Sequence, residues 1–207
     1  NIVFIQHPGQ KTNKLNNKEY LVVPNLFESI NYKNSQFKIP YNNYLIYVGS
    51  VSKRKGADEL YAIADKCKKT NFIIVGKFSN NILKNRFGSL SNVTITNHLE
   101  LNSVLYLISE SEGLISTSAA EGFPNVFIES WYLGKPVISL HVDPTDIINS
   151  NDLGYFANSD IRKIIDYINK KVYKKMDSKI ILNFFEKNFK NTKIITIMKK
   201  ILNNENN

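Results

Sequence analysis

The sequence predicts an α/β fold: a doubly wound parallel sheet of six strands with helices on both faces. Three observations support that expectation. Short runs rich in β-branched and aromatic residues recur from Tyr44 onward, each bounded by Gly, Asn or Ser. Segments with apolar residues at helical spacing separate these runs. After Asp160 the strand signals stop and helical periodicity continues alone. Strands that alternate with helices pair in parallel, because each crossover returns the chain to the same end of the sheet. Six such units make a Rossmann-like sheet, with C-terminal helices packed on the same domain.

Taken in order, Ile2–Gln6 and Tyr20–Val23 read as strands, and Pro8–Asn16 between them as a short helix or loop. Asn31–Asn43 is polar and aromatic without periodicity and reads as a loop. Residues 1–43 are expected to be a linker and the remnant of an N-terminal domain. The six strands are Tyr44–Val48, Phe72–Val75, Val93–Thr96, Leu114–Ser116, Pro136–Leu140 and Leu153–Phe156. The clearest helix between them is Ala57–Lys69, where Leu60, Ile63, Ala64 and Cys67 share a face and three lysines crowd the last turn. Cys67 therefore reads as a small core residue. Residues 44–160 form the expected Rossmann-like domain. Residues 161–207 add basic helices at Ile161–Lys174, Ser178–Phe189 and Thr192–Leu202.

Composition narrows the classes of function. Over 207 residues, 43% are apolar and 22% charged, which excludes collagen, a coiled-coil rod and a wholly disordered chain. No apolar stretch approaches the roughly 20 residues of a membrane span. A single cysteine excludes an internal disulfide and suits a reducing, cytoplasmic setting. The net charge of +9 is uneven. Residues 1–160 hold 15 basic and 14 acidic residues, whereas residues 161–207 hold 12 and 4. Such a segment suits an anionic partner, for example the inner face of a membrane, or is a solvated helix face. Nucleic acid is not expected, since no aromatic recognition motif is interleaved with the basic residues.

Two turns stand out once placed on the sheet. Gly49-Ser50-Val51-Ser52-Lys53-Arg54-Lys55-Gly56 directly follows the first of the six strands and is expected to open a helix. Gly49 permits a sharp turn, and three cations crowd a place where the helix dipole disfavours them, which makes sense if an anion sits between them. The second turn, Glu121-Gly122-Phe123-Pro124-Asn125, follows the fourth strand, with Glu129 inside the next helix. In strand order 3-2-1-4-5-6 both turns flank the crevice at the topological switch point. Cations with helix N-termini suit a diphosphate, and carboxylates accept the hydrogen bonds of sugar hydroxyls. Together they describe a nucleotide sugar. His7, His98 and His141 are far apart in sequence, and no Asp-x-Asp suggests a metal site.

The stretch Glu121–Ile138, E-G-F-P-N-V-F-I-E-S-W-Y-L-G-K-P-V-I, resembles the E-x7-E segment of retaining GT-B glycosyltransferases of the family-four type. The S-T-S-A-A before it, the K-R-K-G turn and V-P-N at Val23–Asn25 fit the same family. The resemblance implies the donor-binding C-terminal half of such an enzyme. Glu121 would contact the donor sugar near the reacting centre, and Lys55 would neutralise the diphosphate. Glu129 would hold the ribose, and backbone amides at Phe123, Pro124 and Asn125 the phosphate. The loop at Asn97–Glu100, with His98 and Leu99, would face the base. Gly49 lies where the family places a glycine followed by arginine. Here Ser50 replaces that arginine, and Arg54 is expected to supply the charge.

Further implications are a metal-independent transfer with no cofactor besides the nucleotide-sugar substrate, and a role in bacterial surface polysaccharide synthesis on lipid-linked acceptors. The acceptor would be placed by the N-terminal domain, so the chain alone would not transfer. Two alternatives stay open: a non-catalytic nucleotide-sugar-binding module and a GT-B-like sugar-nucleotide epimerase.

Overall fold

The computed structural model describes residues 3–5, 20–22, 32, 38–190, 195 and 199. Two short strands, β1 (Val3–Ile5) and β2 (Tyr20–Val22), pair in parallel. The main sheet follows. Its strands are β3 (Leu45–Val48), β4 (Phe72–Val75), β5 (Val93–Asn97), β6 (Gly113–Ser116), β7 (Val137–Ser139) and β8 (Gly154–Phe156). Their order is β5-β4-β3-β6-β7-β8, and every pairing is parallel. This is the doubly wound arrangement that the alternation of strands and helices predicts. The chain enters this sheet at β3, winds outward to β5, then returns to β6 beside β3. The switch point lies between β3 and β6.

Both faces of the sheet are covered, and the core accordingly has two parts. On one side Leu45, Tyr47, Phe72 and Ile74 pack with Leu60 and Ile63 of α1 (Ala57–Lys66), and with Phe87 of α2 (Asn81–Gly88). On the other, Ile46, Ile73 and Leu114 meet α3 (Leu101–Glu110) and α4 (Asn125–Tyr132) around Trp131, whose indole N–H donates to the Leu153 carbonyl. The alternation of β3 and β4 side chains between the two clusters follows from the period of two along a strand. A short α5 (Ile147–Ser150) precedes β8, and α6 (Ile161–Asn169) and α7 (Ser178–Asn188) complete the described helices.

Several boundaries differ from the sequence reading. The helix expected over Ala57–Lys69 stops at Lys66. The buried Asn92 side-chain amide donates to the carbonyls of Ala64, Cys67 and Thr70, so these carbonyls are satisfied without another helical turn. Lys68 and Lys69 therefore follow the helix. Cys67 is fully buried, as expected for a core residue, and burial pushes its thiol up to about 12. The helix expected over Ile161–Lys174 also breaks. It ends after α6, Lys171 turns through a left-handed conformation with φ 52°, and a short 3-10 turn spans Val172–Lys175. The break takes the chain past the amino ends of β3, β6 and β7. Thus Ile164 and Tyr173 pack in one core cluster, and Ile181 and Phe185 in the other. Pro8–Asn16 lies outside the described residues, as does most of Thr192–Leu202.

Candidate functional site

At the carboxyl end of the switch point, the loops after β3 and β6 lie side by side and enclose a cavity of about 140 Å³. Tyr47, Gly49, Lys55, Ser116, Ser118, Glu121, Pro124 and Asn125 contribute to its lining. The backbone leaves β3 through Gly49, at φ 147°, and Gly76 after β4 passes so close that a Cβ there would lie 1.9 Å from the Gly49 carbonyl oxygen. Val51 then bridges to Phe78. Contrary to the sequence expectation, the basic run does not itself open the helix. Lys53–Lys55 form a separate 3-10 turn, and left-handed Gly56 redirects the chain into α1. As a result the cations diverge. Lys55 turns into the cavity, while Lys53 and Arg54 are exposed and do not line it.

The two loops are fastened to each other. The Thr117 hydroxyl donates to the Lys55 carbonyl at 3.1 Å, and Gly56 packs directly on the Thr117 backbone. Across this junction the Lys55 ammonium pairs with Glu121 Oε1, and the two side chains are 21% and 22% exposed. Ser118 Oγ donates to the same oxygen at 2.8 Å. Burial pushes the Glu121 pKa up, but the hydrogen bonds from Lys55 and Ser118, with the charges of Lys55 and Arg54, outweigh it. They hold the carboxyl below its ordinary value. Glu121 is thus an ionised acceptor.

Phe123 anchors the second loop: its ring meets Trp131 and Phe189 at centroid distances of 6.3 and 5.7 Å. Pro124 caps α4, and Asn125 begins it beside the cavity. Glu129 is half-buried on α4 and does not line the cavity. Its carboxylate has no hydrogen bond or ion pair among the described residues, and burial raises its pKa. A desolvated carboxylate without a partner is costly, and ligand hydroxyls would offset that cost. His98 and Leu99 follow β5, two strands away from β3. His98 is exposed, Leu99 leans on the core, and neither lines the cavity.

The structure therefore gathers Gly49, Lys55, Glu121, Pro124 and Asn125, and leaves Arg54, Phe123, Glu129, His98 and Leu99 outside this cavity. Sequence reasoning missed Tyr47 and Ser118. Tyr47 reads as an ordinary strand residue, yet its hydroxyl reaches out to donate to the Ser50 carbonyl at 3.0 Å. For Ser118 the available signal was its position three residues before Glu121.

Residues 42–172 match the family model of glycosyl transferases group 1. The chain belongs to that family. The match takes in both loops of the cavity and all six strands of the main sheet. No protein with a curated description matches this glycosyltransferase chain. Among solved structures it is similar to a point mutant of S. aureus TarM in complex with fondaparinux, alpha-GlcNAc-glycerol and UDP. That match has 20% identity and a TM-score of 0.74, covering 97% of this chain and 43% of TarM. It is also similar to Anabaena HepE in complex with UDP-glucose, at 17% identity and TM-score 0.72, covering 98% and 64%. Sucrose-phosphate synthase from Thermosynechococcus elongatus matches at 15% identity and TM-score 0.78, covering 98% and 58%. At these identities the likeness is one of fold, and the fold is that of GT-B glycosyltransferases. The glycosyltransferase chain spans about half the length of the structures it matches.

Proposed function

We propose that the chain is the donor-binding half of a retaining glycosyltransferase of the family-four type, acting on a nucleoside-diphosphate sugar. The observation that supports this most is the junction of Lys55 and Glu121 at the switch point, beside the N-terminus of α4. In this reading the diphosphate lies against Lys55 and the amides that open α4. These stabilise the charge that develops on the leaving group without need of a divalent cation. Glu121 accepts hydrogen bonds from the sugar. Glu129, whose carboxylate has no partner among the described residues, takes the ribose hydroxyls, and the loop of His98 and Leu99 borders the base. A second Rossmann-like domain seats the acceptor, a lipid-linked glycan precursor of a surface polysaccharide.

Calorimetric titration of UDP-, GDP- and ADP-glucose tests the reading. Glu129→Ala should weaken binding of the preferred donor about tenfold or more, the worth of a charge-assisted hydrogen bond of about 1.5–3 kcal/mol. The free nucleobase should be unaffected. Donor affinity unchanged in Glu129→Ala and Lys55→Ala alike would dismiss the assignment. Tight nucleotide-sugar binding by a longer chain that never transfers would favour the non-catalytic module.

A peripheral contact with an anionic membrane is part of the same reading. Lys170, Lys171, Lys174, Lys175 and Lys179 are all exposed along the segment that passes the amino ends of the strands, Lys170 paired with Asp166 and Lys174 with Glu112, and exposed Ile180 and Leu182 follow in α7. Among the described residues no helix is long and apolar enough to cross a membrane. Sedimentation with phosphatidylglycerol vesicles should exceed that with phosphatidylcholine and fade as salt rises, since exposed charges are screened over about 8–10 Å at physiological salt. Equal sedimentation with both lipids would remove this contact.

A further inference from the structure

We propose that Ser118 is a positioning residue that, with Lys55, pins Glu121 by one oxygen and leaves the other free for a hydroxyl of the donor sugar; this rests on the donor-site reading above. Both bonds to the carboxylate fall on Oε1, from the Lys55 ammonium and from Ser118 Oγ at 2.8 Å. Oε2 accepts no hydrogen bond among the described residues, and Glu121 lines the cavity. A carboxylate held this way has a fixed plane, so the free oxygen is presented in one direction.

Two anchors are needed because one of them is shared. Lys55 is the cation that the diphosphate would attract, and an ammonium drawn to phosphate loosens its hold on a carboxylate. Were Lys55 the sole anchor, binding the diphosphate would release the group that must orient the sugar. Ser118 does not have that conflict. It is 5% exposed, and its loop is tied to the opposite one through Thr117, whose hydroxyl bonds the Lys55 carbonyl and whose backbone packs on Gly56. A longer contact from Ser118 Oγ to the Ala120 carbonyl, 3.4 Å, competes weakly with the 2.8 Å bond to Glu121. Ser118 thus holds Glu121 in place while Lys55 moves between carboxylate and phosphate.

The test compares each of UDP-, GDP- and ADP-glucose with its matching nucleoside diphosphate, by calorimetry on the 207-residue chain. Ser118→Ala should bind the diphosphate within about twofold of the wild type, yet lose about tenfold in affinity for the sugar nucleotide. Ser118→Thr keeps the hydroxyl and should restore most of that loss. A pH series adds a readout that a structural role would not move. Glu121 is held ionised by its bonds, so the sugar's contribution is present at neutral pH and lost as pH falls through the carboxyl's pKa. Removing the Ser118 bond raises that pKa, so in Ser118→Ala the loss should begin at higher pH. Equal weakening of diphosphate and sugar nucleotide, or no weakening of either, would overturn the positioning role. If the wild type binds none of the six compounds, or Lys55→Ala binds the diphosphate as well as the wild type, the donor-site reading itself fails, and this inference with it.

Discussion

Replacing Gly56 with alanine should unfold the chain more readily than any single loss of a polar contact at the site. A Cβ at this position would lie 1.9 Å from the Thr117 carbonyl oxygen and 2.7 Å from its carbon, and Gly56 sits at φ 70°. The left-handed backbone alone costs an alanine about 1–2 kcal/mol. The overlap with Thr117 is with backbone, which cannot swing aside, so the two loops must part. Parting them breaks the Thr117 bond to the Lys55 carbonyl, worth about 1 kcal/mol, and separates Lys55 from Glu121. Together these give a loss of about 3 kcal/mol or more, and donor affinity should fall with it. Gly88 supplies the control: a methyl group added there would meet nothing within 4 Å, so Gly88→Ala should leave stability unchanged or raise it by about 0.4–1 kcal/mol. Urea titration of both variants checks the contrast. A Gly56→Ala chain as stable as the wild type would mean that the junction between the loops is not rigid.

That junction also marks how far the sequence can be read. The strand order was legible because each strand run was separated from the next by a helical crossover, and right-handed parallel crossovers leave few arrangements. From the strand order followed the switch point, and from the switch point the two loops. Local rules failed where a distant residue decides. The end of α1 is set by Asn92, some 25 residues away from the helix it terminates, and the end of α6 by the need to pass the amino ends of the strands. The pairing of Lys55 with Glu121 spans 66 residues and has no local signature. Sequence reasoning gave the two groups separate ligands, and their mutual bond appears only in three dimensions. Arg54 illustrates the same limit: one position of backbone rotation in a 3-10 turn sends it to solvent, although it stands beside Lys55 in the chain.

Glycosyl transfer to an acceptor should be absent from the 207-residue chain even under conditions where the proposed donor binds. The described residues hold one six-stranded sheet, and the cavity at its carboxyl end measures about 140 Å³. Complete small-molecule pockets are commonly about 300–1,000 Å³ and bury most of their ligand. In the proposed reading the cavity would bound only the diphosphate and sugar end of a donor, and on one side; Glu129 and the loop of His98 and Leu99 lie outside it. A cleft needs an opposite wall, and in the proposed enzyme that wall is the second domain, which also holds the acceptor. Orientation of two reactants accounts for about 7–11 kcal/mol of a barrier, so its loss reduces transfer by roughly five orders of magnitude or more. Water needs no such placement, and slow donor hydrolysis is compatible with one wall. The expected result is therefore release of nucleoside diphosphate from UDP-glucose, or from whichever donor binds, at a slow rate that added acceptor does not change. Acceptor-dependent turnover at about 1 s⁻¹ or faster, within the ordinary range for enzymes, would mean that the site is complete within these 207 residues.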